Sequence, residues 1–130
     1  MKATLQNYRQ SPRKVRLVAD LVRGKTVDRA LTELGFLNKR ASLAVIKLIN
    51  SAIASAKHNS HIGKENLFVD EIAVDQGRTL KRYRARARGR GMTIRKRSSH
   101  ITIVLAKQEQ SKMKEQKAKN KNKVSPKAIQ

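Results

Sequence analysis

Between Arg82 and Arg90 an arginine stands at every second position: Arg82, Arg84, Arg86, Arg88 and Arg90, separated by Tyr83, Ala85, Ala87 and Gly89. In an extended chain residues i and i+2 point to the same side, roughly 6.6–6.8 Å apart. The spacing therefore predicts a row of guanidiniums on one face of a strand and small residues on the other. A helix would scatter the same arginines around its circumference. Guanidinium is a planar fork of donors that matches phosphate oxygens. The chemistry on offer is recognition of a polyanion, not catalysis. The small face lets a surface approach closely, and Gly89 and Gly91 permit a tight turn at the tip. Repulsion among arginines with no acid nearby disfavours an ordered free arm, so the run reads as an interface.

Further donors flank this run. Lys81 precedes it, and Arg95, Lys96 and Arg97 follow, then Ser99 and His100. A hydroxyl and an imidazole suit phosphate, ribose or base edges. His100 suits packing beside a strand equally well, and Tyr83 suits either base stacking or an amphipathic place on the arm. Near the N-terminus, Arg13, Lys14 and Arg16 open an expected helix, whose free N–H groups and dipole favour phosphate. Arg23 and Lys25 lie at its far end, where cations offset the dipole or touch RNA.

The whole chain has 31 Lys and Arg against 9 Asp and Glu in 130 residues, a formal net charge of +22. Nucleic acid is the first expected partner and an anionic membrane surface the second. The charge is unevenly spread. Residues 1–75 carry +6, residues 76–106 carry ten cations and no acid, and residues 107–130 carry +6. Absence of cysteine excludes disulfides, cysteine zinc sites and thiol catalysis. His58, His61 and His100 form no metal-ligand pattern, so no cofactor is expected. Asp70 and Glu71, adjacent on a strand, would face opposite sides and make a poor acid–base pair. Phosphate-cradling loops and a nucleophile elbow are missing too, so an enzyme is not expected. No apolar run approaches the roughly 18 residues of a membrane span, and Met1 to Lys14 lack the apolar core of a secretory signal. The expectation is a small intracellular polyanion binder.

Elements must hold these residues in place. Ser11-Pro12 reads as a helix start, with Val15, Val18, Ala19 and Val22 on one face and Gly24 as the stop. Thr26 caps a second helix with Val27, Ala30, Leu31 and Leu34 inward, ended by Gly35. Asn38 caps a third, whose stripe is Ala41, Ala44, Val45, Leu48, Ile49, Ala52 and Ala56. Residues 2–9 read as an edge strand. From Leu67 the period changes: Leu67-Phe68-Val69 and Ile72-Ala73-Val74 are strand-like, with a bulge at Asp70-Glu71. Ile101 to Leu105 is the strongest strand signal. Pairing from 68 to 105 gives a ribbon with arms of roughly 50 Å, whose outer half must protrude and needs a partner. The fold class is α+β: a small three-helix body packed on an antiparallel sheet, a long protruding basic β-hairpin and a flexible C-terminal tail. Residues 1–106 read as one RNA-binding domain with its hairpin at about 67–105, and 107–130 as a lysine-rich tail too poor in apolar residues to fold alone.

Five words occur in order: Ser-Pro-Arg-Lys-Val-Arg-Leu-Val-Ala-Asp-Leu-Val-Arg-Gly-Lys (11–25), Ser-Ala-Ile-Ala-Ser-Ala-Lys-His-Asn (51–59), Leu-Lys-Arg (80–82), Arg-Ala-Arg-Gly-Arg (86–90) and Lys-Arg-Ser-Ser-His-Ile-Thr-Ile-Val (96–104). Each is weak alone; the ordered set resembles the bacterial-type family of large ribosomal subunit protein twenty-two. The resemblance implies a non-enzymatic structural protein of the large subunit, in the cytoplasm or in an organelle ribosome. It implies a hairpin threading between rRNA segments, with its tip, around Ala85 to Met92, at the wall of the polypeptide exit tunnel. Implied partners are large-subunit rRNA, neighbouring ribosomal proteins and the nascent polypeptide passing the tip, with no membrane. Arg78 and Ala85 stand where that family usually has proline. The alternative reading is a DNA-binding protein, with helices at about 12–23 and 27–34 as a helix-turn-helix. The richest basic segment lies elsewhere, in the arm.

Overall fold

The computed structural model describes residues 1–107, so the expected tail, apart from Lys107, lies outside the described residues. The order is β1 (Lys2–Tyr8), α1 (Pro12–Val22), α2 (Val27–Phe36), α3 (Arg40–Ser60), β2 (Leu67–Gln76), β3 (Leu80–Ala85), β4 (Gly91–Lys96) and β5 (Ser99–Lys107). Two antiparallel sheets result: a three-stranded one in the order β1-β5-β2, and the two-stranded ribbon β3-β4. This is the expected α+β arrangement of three helices on an antiparallel sheet with a basic hairpin.

Burial follows the apolar period. On β5, Ile101, Ile103 and Leu105 are buried while Thr102, Val104 and Ala106 are only half-buried, the mark of a strand covered fully on one face. Val15, Val18, Ala19 and Val22 of α1 join that core, with Val27, Ala30 and Leu34 of α2. From α3 come Ala41, Val45, Leu48, Ile49, Ala52 and Ala56. The alanines let α3 lie close to its neighbours.

Helix boundaries differ from the expected ones in detail. Gly24, at φ 73°, follows α1 as expected, but α2 runs through Gly35 to Phe36. Gly35 keeps a negative φ, so it does not form the left-handed turn with which a glycine ends a helix. Lys39, not Asn38, precedes α3, and Ser11, Thr26 and Lys39 all lack a side-chain cap bond. The backbone does the capping: the Lys14 and Val15 N–H groups donate to the Ser11 carbonyl at 3.0 and 3.3 Å. The register of β2 against β5 shifts between Val69 and Glu71, which places the expected bulge at Asp70.

The long hairpin is not one continuous ribbon. Body pairing runs out at Gln76 opposite Ser99 and resumes at Leu80 opposite Lys96. Three residues, Gly77 to Thr79, thus face only two, Arg97 and Ser98. Unequal strand lengths break the ladder. Two bonds bridge the break: Gly77 N–H to the Ser98 carbonyl at 2.9 Å, and Ser98 Oγ to the Arg78 carbonyl at 2.7 Å.

Candidate nucleic-acid interface

The arm begins where this break ends. Every side chain from Leu80 to Arg97 is exposed. Its register pairs Leu80 with Lys96, Arg82 with Ile94 and Arg84 with Met92. Directly opposed residues share a face, so one face carries Leu80, Arg82, Arg84, Met92, Ile94 and Lys96. The other carries Lys81, Tyr83, Ala85, Gly91, Thr93 and Arg95. The expected division into an arginine face and a small face therefore holds only in part. Cations lie on both sides, and Arg82 and Arg84 are interleaved with exposed apolar chains. Tyr83, 77% exposed, rests against no body element.

The arginine row also stops earlier than the spacing suggests. β3 ends at Ala85; Arg86 is still extended, at φ −126° and ψ 174°, and its N–H closes the tip on the Arg90 carbonyl at 2.8 Å. Arg88 sits in the turn at φ 58°, followed by Gly89 at φ 69°. A left-handed residue cannot continue a strand's alternation, so Arg88 and Arg90 leave the row and point from the tip. Only Gly89 of the two tip glycines answers a backbone demand. The Arg86 guanidinium lies 3.6 Å from Met92 Sδ. Among the described residues the ion pairs are all on the body, so no acid neutralises the arm.

Body candidates divide. Arg13 and Lys14 are exposed in the first turn of α1. Arg16 instead sends Nε and Nη2 to the Val74 carbonyl, at 3.2 and 2.9 Å, and Arg23 donates to the Ile72 carbonyl at 3.0 Å. These carbonyls lie two residues apart on the outer side of β2, so the two arginines cover a sheet edge that would otherwise be open. Lys25 is ion-paired with Glu33, which also receives Arg29 at 3.2 Å. That hydrogen bond from Lys25 holds the Glu33 carboxyl below its usual range. Lys25 is thus largely occupied within the body, contrary to its expected role.

Ser99 is a second correction. It is fully buried, and its Oγ donates to the Gln10 carbonyl at 2.6 Å. The alternation of β5 turns it toward the core, so it fastens the arm's root to the segment before α1. His100 is half-buried, with Nδ1 accepting the Asn7 N–H at 3.2 Å. This is the packing role its sequence position left open. The helix-turn-helix alternative finds no support in α2, whose outward side carries Asp28 and Glu33 beside Arg29.

The fold also brings together cations that no sequence window joins. Arg9 and Arg40 line a cleft of about 1130 Å³ with Lys14 on the body side, while Arg78 joins Arg95, Lys96 and Arg97 on the arm side. Arg9 and Arg40 leave no signal in the sequence, because isolated cations show no period, and Arg78 stands out there only as a replacement for the family's usual proline. Among the described residues there is no cluster of metal-ligating side chains, and no helix is long and apolar enough to cross a membrane.

Comparison with known proteins agrees with this geometry. Residues 3–106 match the family described as Ribosomal protein L22p/L17e. Over 83 residues the chain is 54% identical to the large ribosomal subunit protein uL22 of Mycoplasmopsis agalactiae, covering 64% of this chain and 73% of that one. It is 55% identical over 82 residues to the protein of the same name from Herpetosiphon aurantiacus, and 50% to that from Carboxydothermus hydrogenoformans, each covering 63% and 73%. With a three-helix body on an antiparallel sheet, an arm without a single acid, and a match that runs from the first strand to the last, this protein belongs to the ribosomal protein L22p/L17e family.

Proposed function

We propose that this protein is a structural, non-enzymatic constituent of the large ribosomal subunit in the cytoplasm, which binds rRNA mainly through its arm. One observation carries the reading. The arm, residues 80–97, projects nine cations with no acid among them and no buried side chain to hold it. An isolated two-stranded ribbon is marginal in water. Phosphates on both sides would relieve the repulsion and supply the missing contacts. Lys81, Arg82, Arg84, Arg86, Arg88, Arg90, Arg95, Lys96 and Arg97 make those contacts, joined by Arg13 and Lys14 on the body. The arm helps rRNA segments assemble, its tip lies at the exit-tunnel wall beside the passing nascent polypeptide, and the body meets neighbouring ribosomal proteins.

A salt titration tests the binding mode. If the arm neutralises about 6–10 phosphates, affinity for a large-subunit rRNA fragment falls by about 10³–10⁵ between about 50 and 200 mM salt, on the scale calibrated with duplex DNA. A nearly flat titration refutes it. A photo-crosslinker at Ala87 in assembled particles tests the tip: adducts with a stalled nascent chain are expected, and adducts with rRNA alone would remove the polypeptide from its partners.

A further inference from the structure

The body sheet has two edges, and the fold treats them differently. The outer edge of β2 is closed. Arg16 and Arg23 donate to the Val74 and Ile72 carbonyls, the Gly24 N–H donates to the Val69 carbonyl at 2.9 Å, and the Lys25 carbonyl accepts the Val69 N–H at 2.9 Å. At the other end of the strand order lies β1.

The alternation of β1 is fixed from both of its ends. The Met1 amine donates to the Leu105 carbonyl at 2.7 Å, and the Leu105 N–H donates to the Met1 carbonyl at 2.8 Å. At the far end the Asn7 N–H reaches His100 Nδ1 at 3.2 Å. Odd-numbered residues therefore turn their backbone groups toward β5, and Lys2, Thr4 and Gln6 turn theirs outward. Among the described residues nothing bonds these outward groups. Asn7, at φ 55°, leaves the extended conformation, so the open edge runs from Lys2 to Gln6.

Helix α3 runs beside this edge. Between the two lies a groove of about 600 Å³, lined on the apolar side by Leu5, Leu43, Ala44 and Leu48. Leu43 is 69% exposed. A strand added to β1 would send every second side chain into this groove and cover Leu43. The fold thus stops one strand short of covering α3.

The chemistry of the edge and the charge of the groove narrow the occupant. The edge offers N–H groups and carbonyls in turn, so its ligand must both accept and donate. Phosphate oxygens only accept and would leave the carbonyls of Lys2, Thr4 and Gln6 unpaired. An extended peptide satisfies both. Arg40 and Lys47 line the groove, no acid does, and Lys2 stands on the edge itself. A second copy of this chain, at +22, is repelled. The chain's own residues 108–130 are rich in lysine and would meet like charge too.

We propose that β1 accepts a fourth strand from a neighbouring protein: an extended acidic segment with apolar residues at alternate positions. Its backbone pairs with Lys2, Thr4 and Gln6, its apolar side chains enter the groove against Leu43 and Leu48, and its acids meet Lys2, Arg40 and Lys47. Main-chain bonds supply affinity in such strand addition and the alternate side chains supply specificity. The proposal rests on the part of the functional reading that gives the body protein neighbours, and adds where on the body one of them sits and by which bonds.

The test uses tagged full chain built into assembled large subunits, with a photo-crosslinking residue in place of Leu43, inside the groove, or of Phe36, exposed and outside it. Crosslinked segments are identified by mass spectrometry. Position 43 should capture a segment of another subunit protein in which acidic and apolar residues alternate. Thr4→Pro removes an outward N–H, as edge strands tolerate, and should lower the yield of that adduct several-fold. Lys47→Glu, exposed on α3, should lower it as well through charge. Melting of the free protein checks both variants, and if the proline unfolds the body, Lys47→Glu decides alone. Capture at position 43 of rRNA only, of residues 108–130, of a second copy or of a basic segment would overturn the proposal, as would an adduct that folded variants leave undiminished. Protein captured from position 36 but none from position 43 would retire the strand addition alone; none from either would remove the body's protein neighbours as well.

Discussion

Body and arm use the same antiparallel pairing and hold it by opposite means. In the body, β5 lies between β1 and β2 with Ile101, Ile103 and Leu105 buried beneath three helices. In the arm, β3 and β4 keep a regular register from Leu80–Lys96 to Ala85–Gly91 without one buried side chain. Burial of apolar area, at roughly 25 cal/mol per Å², makes the first self-sufficient. The second has only backbone bonds and side-chain neighbours of like charge. The difference teaches where a strand's stability comes from: the hydrogen-bond ladder sets geometry, and what covers the ladder decides whether it persists alone.

Five changes sharpen or break this contrast. The largest effect is expected from Ile103→Ala, at the centre of the body sheet. Emptying a fully buried isoleucine site costs about 2–5 kcal/mol, read as a lower midpoint in urea unfolding. The matching arm change, Ile94→Ala, should move that midpoint by no more than about 0.5 kcal/mol. Equal losses would show that the arm shares the core.

Next is Gly77→Ala, at the junction. An added Cβ would lie 2.6 Å from Ser98 Oγ and 3.0 Å from His100 Nε2. Ser98 would have to turn away and give up its bond to the Arg78 carbonyl, a loss of about 1 kcal/mol. The thermal midpoint should drop accordingly, and RNA affinity should fall with it because both cleft walls shift. An unchanged midpoint would mean that the junction is soft.

A smaller effect belongs to Glu33 on the body surface. Its carboxyl is held low chiefly by the hydrogen bond from Lys25. A depressed carboxyl contributes stability above its unfolded value and loses it as pH falls through the folded one. Glu33→Gln should therefore be slightly less stable than wild type at neutral pH, and the gap should close in acid below the ordinary carboxylate range. A gap that persists at low pH would assign the effect to packing.

The smallest effect on stability is expected from deleting residues 83–91 and closing the arm with a short glycine-containing turn. Helical circular dichroism and cooperative melting should stay as in wild type. Loss of cooperativity would break the contrast outright, since the tip would then be part of the body.

Much of the body was legible because burial imposes a period. The inward residues of α1 and α3 and the bulge at Asp70 follow from apolar spacing alone. Gly35 misled, because a glycine near a helix end stops it only where its backbone turns left-handed, and Gly35 keeps a negative φ. The arm's length and charge were legible as well. Its facing was not: alternation predicts sides only while the chain stays extended, and Arg88 turns left-handed. Ser99 and Lys25 were misassigned for a related reason. Residue type offered RNA chemistry, but the fold had already given one to the Gln10 carbonyl and the other to Glu33.

By itself the sequence determined which segments bury a face, which segment is too charged to do so, and that the partner is a polyanion. Those properties are local: period, composition and net charge act within a window of a few turns or strands. Only the tertiary structure decided which cations are free. Arg9, Arg40, Arg78 and Arg97 are far apart along the chain and meet in one cleft because β5 returns the arm beside β1. Arg16 and Arg23, near in sequence to Lys14, are spent on the open edge of β2. Pairing across the sheet is a long-range event, and a charge becomes available or committed only when the carbonyls and carboxylates around it have been put in place.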